Sequence, residues 1–99
     1  MPCVIRRRTG DRWENHVELA PQDWSIGPQV DALHDWLGAN LKELDPKFSW
    51  AADIGFCPRS GALGGGPVIS RQLMERCLKA NLEIYLSEYP PEDEQSSRQ

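Results

Sequence analysis

Gly61-Ala62-Leu63-Gly64-Gly65-Gly66-Pro67-Val68-Ile69-Ser70 is the stretch on which the reading of the fold turns. Three consecutive glycines adopt positive φ at no steric cost, so the chain can reverse sharply here. Pro67 then fixes φ and offers no N–H. Ser70 suits a helix N-cap, and Ile69 before it with Met74 after it fits a hydrophobic staple. The stretch therefore predicts a strand arriving, a tight turn, and a helix starting near Arg71.

A glycine loop that opens a helix is also a place where backbone N–H groups and the helix dipole hold anions. Detail separates this loop from the P-loop, which ends in Gly-Lys-Ser/Thr, whereas Pro67-Val68 stand here. The dinucleotide pattern G-x-G-x-x-G is absent as well. Arg59 and Arg71 flank the loop, so Arg59, Gly65, Gly66, Ser70 and Arg71 form the candidate anion or small-ligand site. The competing reading is a plain strand-to-helix connection.

Upstream of the loop, Phe48, Trp50, Ala52, Ile54 and Phe56 alternate with Ser49, Ala51, Asp53, Gly55 and Cys57, the period of a strand with one face of small residues. Pro58 to Gly61 ends it. Downstream, Leu73, Met74, Cys77 and Leu78 form the expected apolar face of a helix over Arg71–Ala80, with Asn81 as its left-handed cap. Leu82, Ile84 and Leu86 then alternate with polar neighbours as a last strand, which Pro90-Pro91 closes.

Farther upstream, Val30, Leu33, Leu37, Leu41 and Leu44 recur at spacings of three and four, one clean helical stripe entered at Pro28 and stopped at Asp45-Pro46. Trp36 lies off the stripe. Gly38 weakens the helix but lets another element approach closely. Trp24-Ser25-Ile26 reads as a short extended run. Trp13, Asn15, Val17 and Leu19 alternate with Glu14, His16 and Glu18 as a strand with one wet face. Cys3-Val4-Ile5 reads as a short strand or a frayed end, and Arg8-Thr9-Gly10-Asp11 as a turn.

The expected class is α+β: a small antiparallel or mixed sheet of three to four strands with two helices on one face, in a ferredoxin-like rhythm. Residues 1–89 form the single domain, and residues 90–99, without an apolar side chain after Pro91, form a disordered polar tail.

The 99-residue chain carries a net charge of −4, which argues against nucleic acid, whose phosphates need clustered Lys and Arg, and is compatible with a basic protein partner or simply with solubility. The run Arg6-Arg7-Arg8 has no apolar segment after it, so it is no signal peptide, and no stretch approaches the length of a membrane span. Three cysteines without a C-x-x-C pair point to a reducing cytoplasm. Asp31, His34 and Asp35 share one helical turn but lack a fourth metal ligand, and no nucleophile elbow or His-Glu-x-x-His occurs. No enzyme, metal or other cofactor is expected. Four tryptophans are many for a core of this size. Exposed tryptophan marks binding hot spots, so Trp36 with Asp31, Asp35 and Glu43 forms the candidate protein interface.

Arg8-Thr9-Gly10, Trp24-Ser25-Ile26, the leucine helix to Leu44, Gly64-Gly65-Gly66-Pro67, Ile69-Ser70 with Leu73-Met74, and Leu82-Glu83-Ile84-Tyr85 together resemble a widespread bacterial family of domains of unknown function. The likeness spans roughly residues 8 to 86, and the spacing from glycine loop to Tyr85 is its most specific part. Members carry a further strand and helix ahead of the Arg-x-Thr-Gly element, so the resemblance implies a shortened member with an exposed strand edge. Some relatives look like immunity proteins of toxin systems, and the family brings no catalytic residues. The expectation is thus a cytoplasmic, non-enzymatic protein-interaction module of immunity-like kind. The alternatives are a small-ligand or anion-binding domain built on the glycine loop, and a homodimerising structural domain.

Overall fold

The computed structural model describes residues 2–20 and 22–90. The chain forms β1 (Cys3–Thr9), β2 (Arg12–Leu19), α1 (Ile26–Asn40), a 3-10 turn (Leu41–Glu43), β3 (Trp50–Phe56), α2 (Arg71–Ala80) and β4 (Leu82–Glu88). The four strands make one mixed sheet in the order β2-β1-β3-β4. β1 runs antiparallel to β2 and to β3, while β3 and β4 are parallel and joined through α2. The α+β class expected from the sequence is the one observed. The polar tail expected over residues 90–99 lies, beyond Pro90, outside the described residues.

The N-terminal segment departs from its reading. It is an interior strand of seven residues rather than a short or frayed one, and Arg8 lies within it. The turn shrinks to Gly10 and Asp11 between the paired Thr9 and Arg12, with Gly10 at φ +65° in the first loop position, the place where a type II′ hairpin needs glycine. β1 escapes a periodicity reading because its buried start, Cys3-Val4-Ile5, is covered on both faces.

β2 also departs. Ile5 pairs with Val17 but Arg6 pairs with Asn15, so a bulge at His16 interrupts the ladder. An extra residue switches which side chains share a face. Val17 and Leu19 pack against the core, whereas Asn15 bonds Arg6 and the Trp13 ring meets Tyr85 on the side of the sheet away from the helices. His16, expected on the wet face, instead stands edge-on to Trp36 and Trp50 and bonds Glu43 at 3.1 Å.

Both helices cover one side of the sheet. Val30, Leu33 and Leu37 of α1 and Leu73, Cys77 and Ala80 of α2 share one buried cluster with Cys3, Ile5, Trp50, Ala52, Ile54 and Leu82. α1 begins two residues before Pro28, so Ile26 joins the helix and Trp24-Ser25 belongs to no strand. Asn40 leaves helical geometry at φ −127°, and Leu41–Glu43 tighten into the 3-10 turn that still buries Leu44. α2 matches its predicted span, with Ser70 Oγ accepting from Leu73 N–H and Asn81 capping at φ +58°. Its buried face differs: Met74 and Leu78 are exposed, and Ala80 takes the place expected of them. Arg76 explains the rotation. Its guanidinium lies against Gly38 and donates to His34 O at 2.9 Å, so this edge of α2 faces α1 and the Met74–Leu78 edge faces away.

The side of the sheet away from the helices carries a polar row across all four strands. Asn15 Oδ1 accepts from Arg6 Nε, Asp53 Oδ2 accepts from Arg6 Nη1 at 3.0 Å, and Asp53 Oδ1 accepts from Ser87 at 2.6 Å. The small face read on β3 is thus occupied by this network rather than by a helix.

Candidate functional site

β3 delivers Phe56, Cys57, Pro58 and Arg59 to the end of the sheet that also receives the start of α1 and the glycine loop. A cavity of about 660 Å³ opens between them, lined by Ser25–Pro28, by Phe56–Arg59, and by Ala62 and Gly64–Pro67. Its size falls within the range of small-molecule sites. Its place outside the C-terminal end of a strand with a parallel neighbour is where open sheets commonly bind ligands.

The walls follow from local chemistry. Gly64, Gly65 and Gly66 take φ of +126°, +78° and +111°, values an L side chain rarely adopts, so the triplet is what lets the loop fold back toward Arg59. Arg59 Nη2 donates to Gly64 O at 2.7 Å and pins the loop, which uses one of the guanidinium's five N–H groups. On the opposite wall, Cys57 N–H donates to Trp24 O at 2.8 Å and fixes the residues entering α1. Buried Gln29 ties the same turn down by donating through Nε2 to Asp23 O and Gly55 O.

The start of α1 has no side-chain cap and no acidic residue in its first turn. Ser25 N–H is held by Asp23 Oδ1, but the N–H groups of Ile26 and Gly27 lack intrahelical acceptors. The positive end of α1 therefore borders the cavity, with Arg59 across from it and the rings of Phe56 and Pro28 supplying apolar wall.

Of the residues singled out in the sequence, Arg59, Gly65 and Gly66 meet in this cavity. Ser70 and Arg71 do not line it. Ser70 caps α2, and the helix start that borders the cavity belongs to α1. Sequence reading missed Ser25, Ile26, Gly27, Phe56 and Cys57. The signal for Ser25, Ile26 and Gly27 was the Ser-x-x-Pro entry to α1, which marks a helix N-terminus, but only the sheet brings it to the glycine loop.

The candidate interface is divided. Asp31 and Asp35 are exposed on α1 and Glu43 is exposed beside His16. Trp36 is half-buried, packed on the core and against His16, rather than free as an anchor. Only Trp50 of the four tryptophans is buried, and Trp13 and Trp24 are the exposed ones.

The three cysteines are free. Burial, with the Asp53 carboxylate adding to it, pushes the Cys3 thiol up to about 12, and burial raises Cys77 too, so both are held as inert thiols. Cys57 lines the cavity with Sγ 3.6 Å from Pro90 O. Among the described residues no group of three or more His, Cys, Asp or Glu is placed to hold a metal ion, and no helix is long and apolar enough to cross a membrane.

No family model, no curated protein and no solved structure matches this chain.

Proposed function

We propose that this chain is a non-enzymatic binding domain whose cavity takes a small ligand with an anionic group and an apolar body. The observation that carries the reading is the meeting, around one space of about 660 Å³, of Arg59, the glycine loop and the uncapped start of α1. The charged end of the guest would sit between the guanidinium and the N–H groups of Ile26 and Gly27. Its apolar part would lie on Phe56, Pro28 and Pro67. Ser25 N–H is engaged by Asp23 Oδ1, so it is not among the donors offered to the guest.

The test is a thermal-shift screen of monocarboxylates of increasing chain length alongside inorganic phosphate. A ligand that binds the folded chain raises its melting temperature by mass action. Carboxylates with an apolar tail are expected to raise it, and Arg59→Ala is expected to reduce that rise at least several-fold. A panel with no shift, or a shift that Arg59→Ala leaves intact, overturns the reading.

A second reading is favoured by the exposed carboxylates of Asp31 and Asp35 on α1 with Glu43 nearby in the chain. This would be a surface for a basic protein partner, of immunity-like kind, in a cytoplasmic setting. Salt-sensitive loss of that partner on Asp31→Asn with Asp35→Asn, at unchanged melting temperature, distinguishes it from the cavity.

A further inference from the structure

β4 ends the sheet, and the alternation of a parallel ladder fixes which of its groups are spent. Trp50 N–H donates to Asn81 O and Tyr89 N–H donates to Phe56 O, so the odd-numbered residues of this strand turn their backbone groups toward β3. The N–H and C=O groups of Leu82, Ile84, Leu86 and Glu88 therefore point outward, away from the sheet. Among the described residues no strand pairs with them.

Apolar surface lies beside this edge. Leu86 is 56 % exposed, and Leu78 and Met74 stand exposed on the side of α2 turned away from α1. Helix and strand together thus form a step: an open row of hydrogen-bonding groups with apolar side chains on its helix side.

We infer that this step is the interface of a symmetric homodimer, in which β4 pairs antiparallel with β4 of a second copy about a two-fold axis at Tyr85. The strand is seven residues long and Tyr85 is its midpoint, so this register pairs every residue of it. Leu82 faces Glu88, Glu83 faces Ser87, and Ile84 faces Leu86, with each of these pairings made twice. No glutamate meets a glutamate, whereas a shift that centres on Glu83 or Glu88 sets like charges directly opposite. The outward-facing residues meet one another as hydrogen-bonded pairs, which lets both copies satisfy their free edge. Ile84 and Leu86 meet their counterparts on the helix side, next to Met74 and Leu78. A surface that is its own complement is what a two-fold interface requires.

Light scattering on the full chain is expected to give a mass near 22.4 kDa, twice the 11.2 kDa of one copy, and a value that falls on dilution. Leu86→Lys is expected to return it to the single-copy mass with no loss of melting temperature in dilute solution. Position is read by oxidative cross-linking in a Cys57→Ser background. Tyr85→Cys sits at the axis in a non-hydrogen-bonded pair, where Cβ atoms approach to about 4.5–5.5 Å, and it should form a covalent dimer alone. Glu83→Cys should do so only when mixed with Ser87→Cys. A single-copy mass at the highest soluble concentration overturns the inference. So does a dimer that survives Leu86→Lys, or one in which Glu83→Cys links to itself as well as Tyr85→Cys does.

Discussion

The two edges of the sheet are protected to very different degrees. β2 is irregular: the bulge at His16 breaks its ladder, and Arg12, Glu14 and Glu18 place charge along it. A bulged and charged edge is a poor template for another strand. β4 runs in unbroken parallel register with β3 over all seven residues and carries the exposed Leu86, while Met74 and Leu78 stand exposed on α2. The hairpin half of the molecule is closed on itself, while the β3-α2-β4 half keeps apolar surface in reserve. The free edge belongs to this second half, whereas the cavity lies between the start of α1, the end of β3 and the glycine loop. Both helices contribute to the buried core, and Met74, Leu78 and Leu86 are left exposed on α2 and β4.

The difference between the halves is expected to be largest in their leucines. Leu33 of α1 is fully buried in the common core, whereas Leu78 of α2 is 81 % exposed. Leu33→Ala should cost about 3 kcal/mol, the sum of lost transfer free energy and a cavity that the sheet cannot close. Leu78→Ala should leave the single copy within about 0.5 kcal/mol of the parent, as exposed substitutions do. Urea unfolding at low protein concentration measures both. Equal losses would mean that α2 packs as the sequence periodicity suggested.

A smaller effect is expected where the halves are tied together. Asp53 accepts from Arg6 on the hairpin side and from Ser87 on the β4 side, with the Arg6 and Asp53 side chains only about one-fifth exposed. Asp53→Ala removes the acceptor and leaves a part-buried guanidinium short of one partner, for a cost of about 2 kcal/mol. In a double-mutant cycle Ser87→Ala should add little once Asp53 is gone. Full additivity would show that the row is a set of neighbours and not a link.

The parts of this architecture that the sequence exposed are those decided within one element. The α1 stripe from Val30 to Leu37, the Ser70 cap, the Asn81 cap and the reversal at Gly64–Gly66 all depend on residues close in the chain, and all are present, whereas the helix expected to run to Leu44 ends at Asn40 and gives way to a 3-10 turn over Leu41–Glu43. The misreadings came from partners distant in sequence. Met74 and Leu78 look like core by spacing, but Arg76 docking on Gly38 turns α2 away from them. Trp13 and Val17 look like one face, but a single bulged residue separates them. β1 hid because a strand buried on both sides at one end and charged at the other has no clean period. The cavity was half visible: Arg59 and the glycines were in the sequence reading, while the start of α1, 30 or more residues upstream, reaches them only through β3.

The smallest contrast lies at the two helix starts, and it bears most directly on the cavity. Ser70 and Ser25 stand at equivalent N-cap positions with extended backbones, yet only Ser70 Oγ takes up a backbone N–H, that of Leu73 at 3.1 Å. Ser70→Ala should therefore cost about 1 kcal/mol, the usual value of a serine cap. Ser25→Ala should cost only a few tenths of that, because no cap bond is lost. The inequality has a reason beyond stability. A helix start that satisfies its own N–H groups has none to offer, and the one that leaves them unsatisfied is the one bordering the cavity. Urea midpoints for the two variants check the first half of this argument. Measuring Ser25→Ala again with a bound carboxylate checks the second: its ligand-induced rise in melting temperature should persist, lowered only by what the cavity-lining Ser25 hydroxyl itself contributes, since the N–H groups of Ile26 and Gly27 remain. A Ser25→Ala variant as destabilised as Ser70→Ala would mean that the start of α1 is closed in solution and has no anion-holding groups to spare.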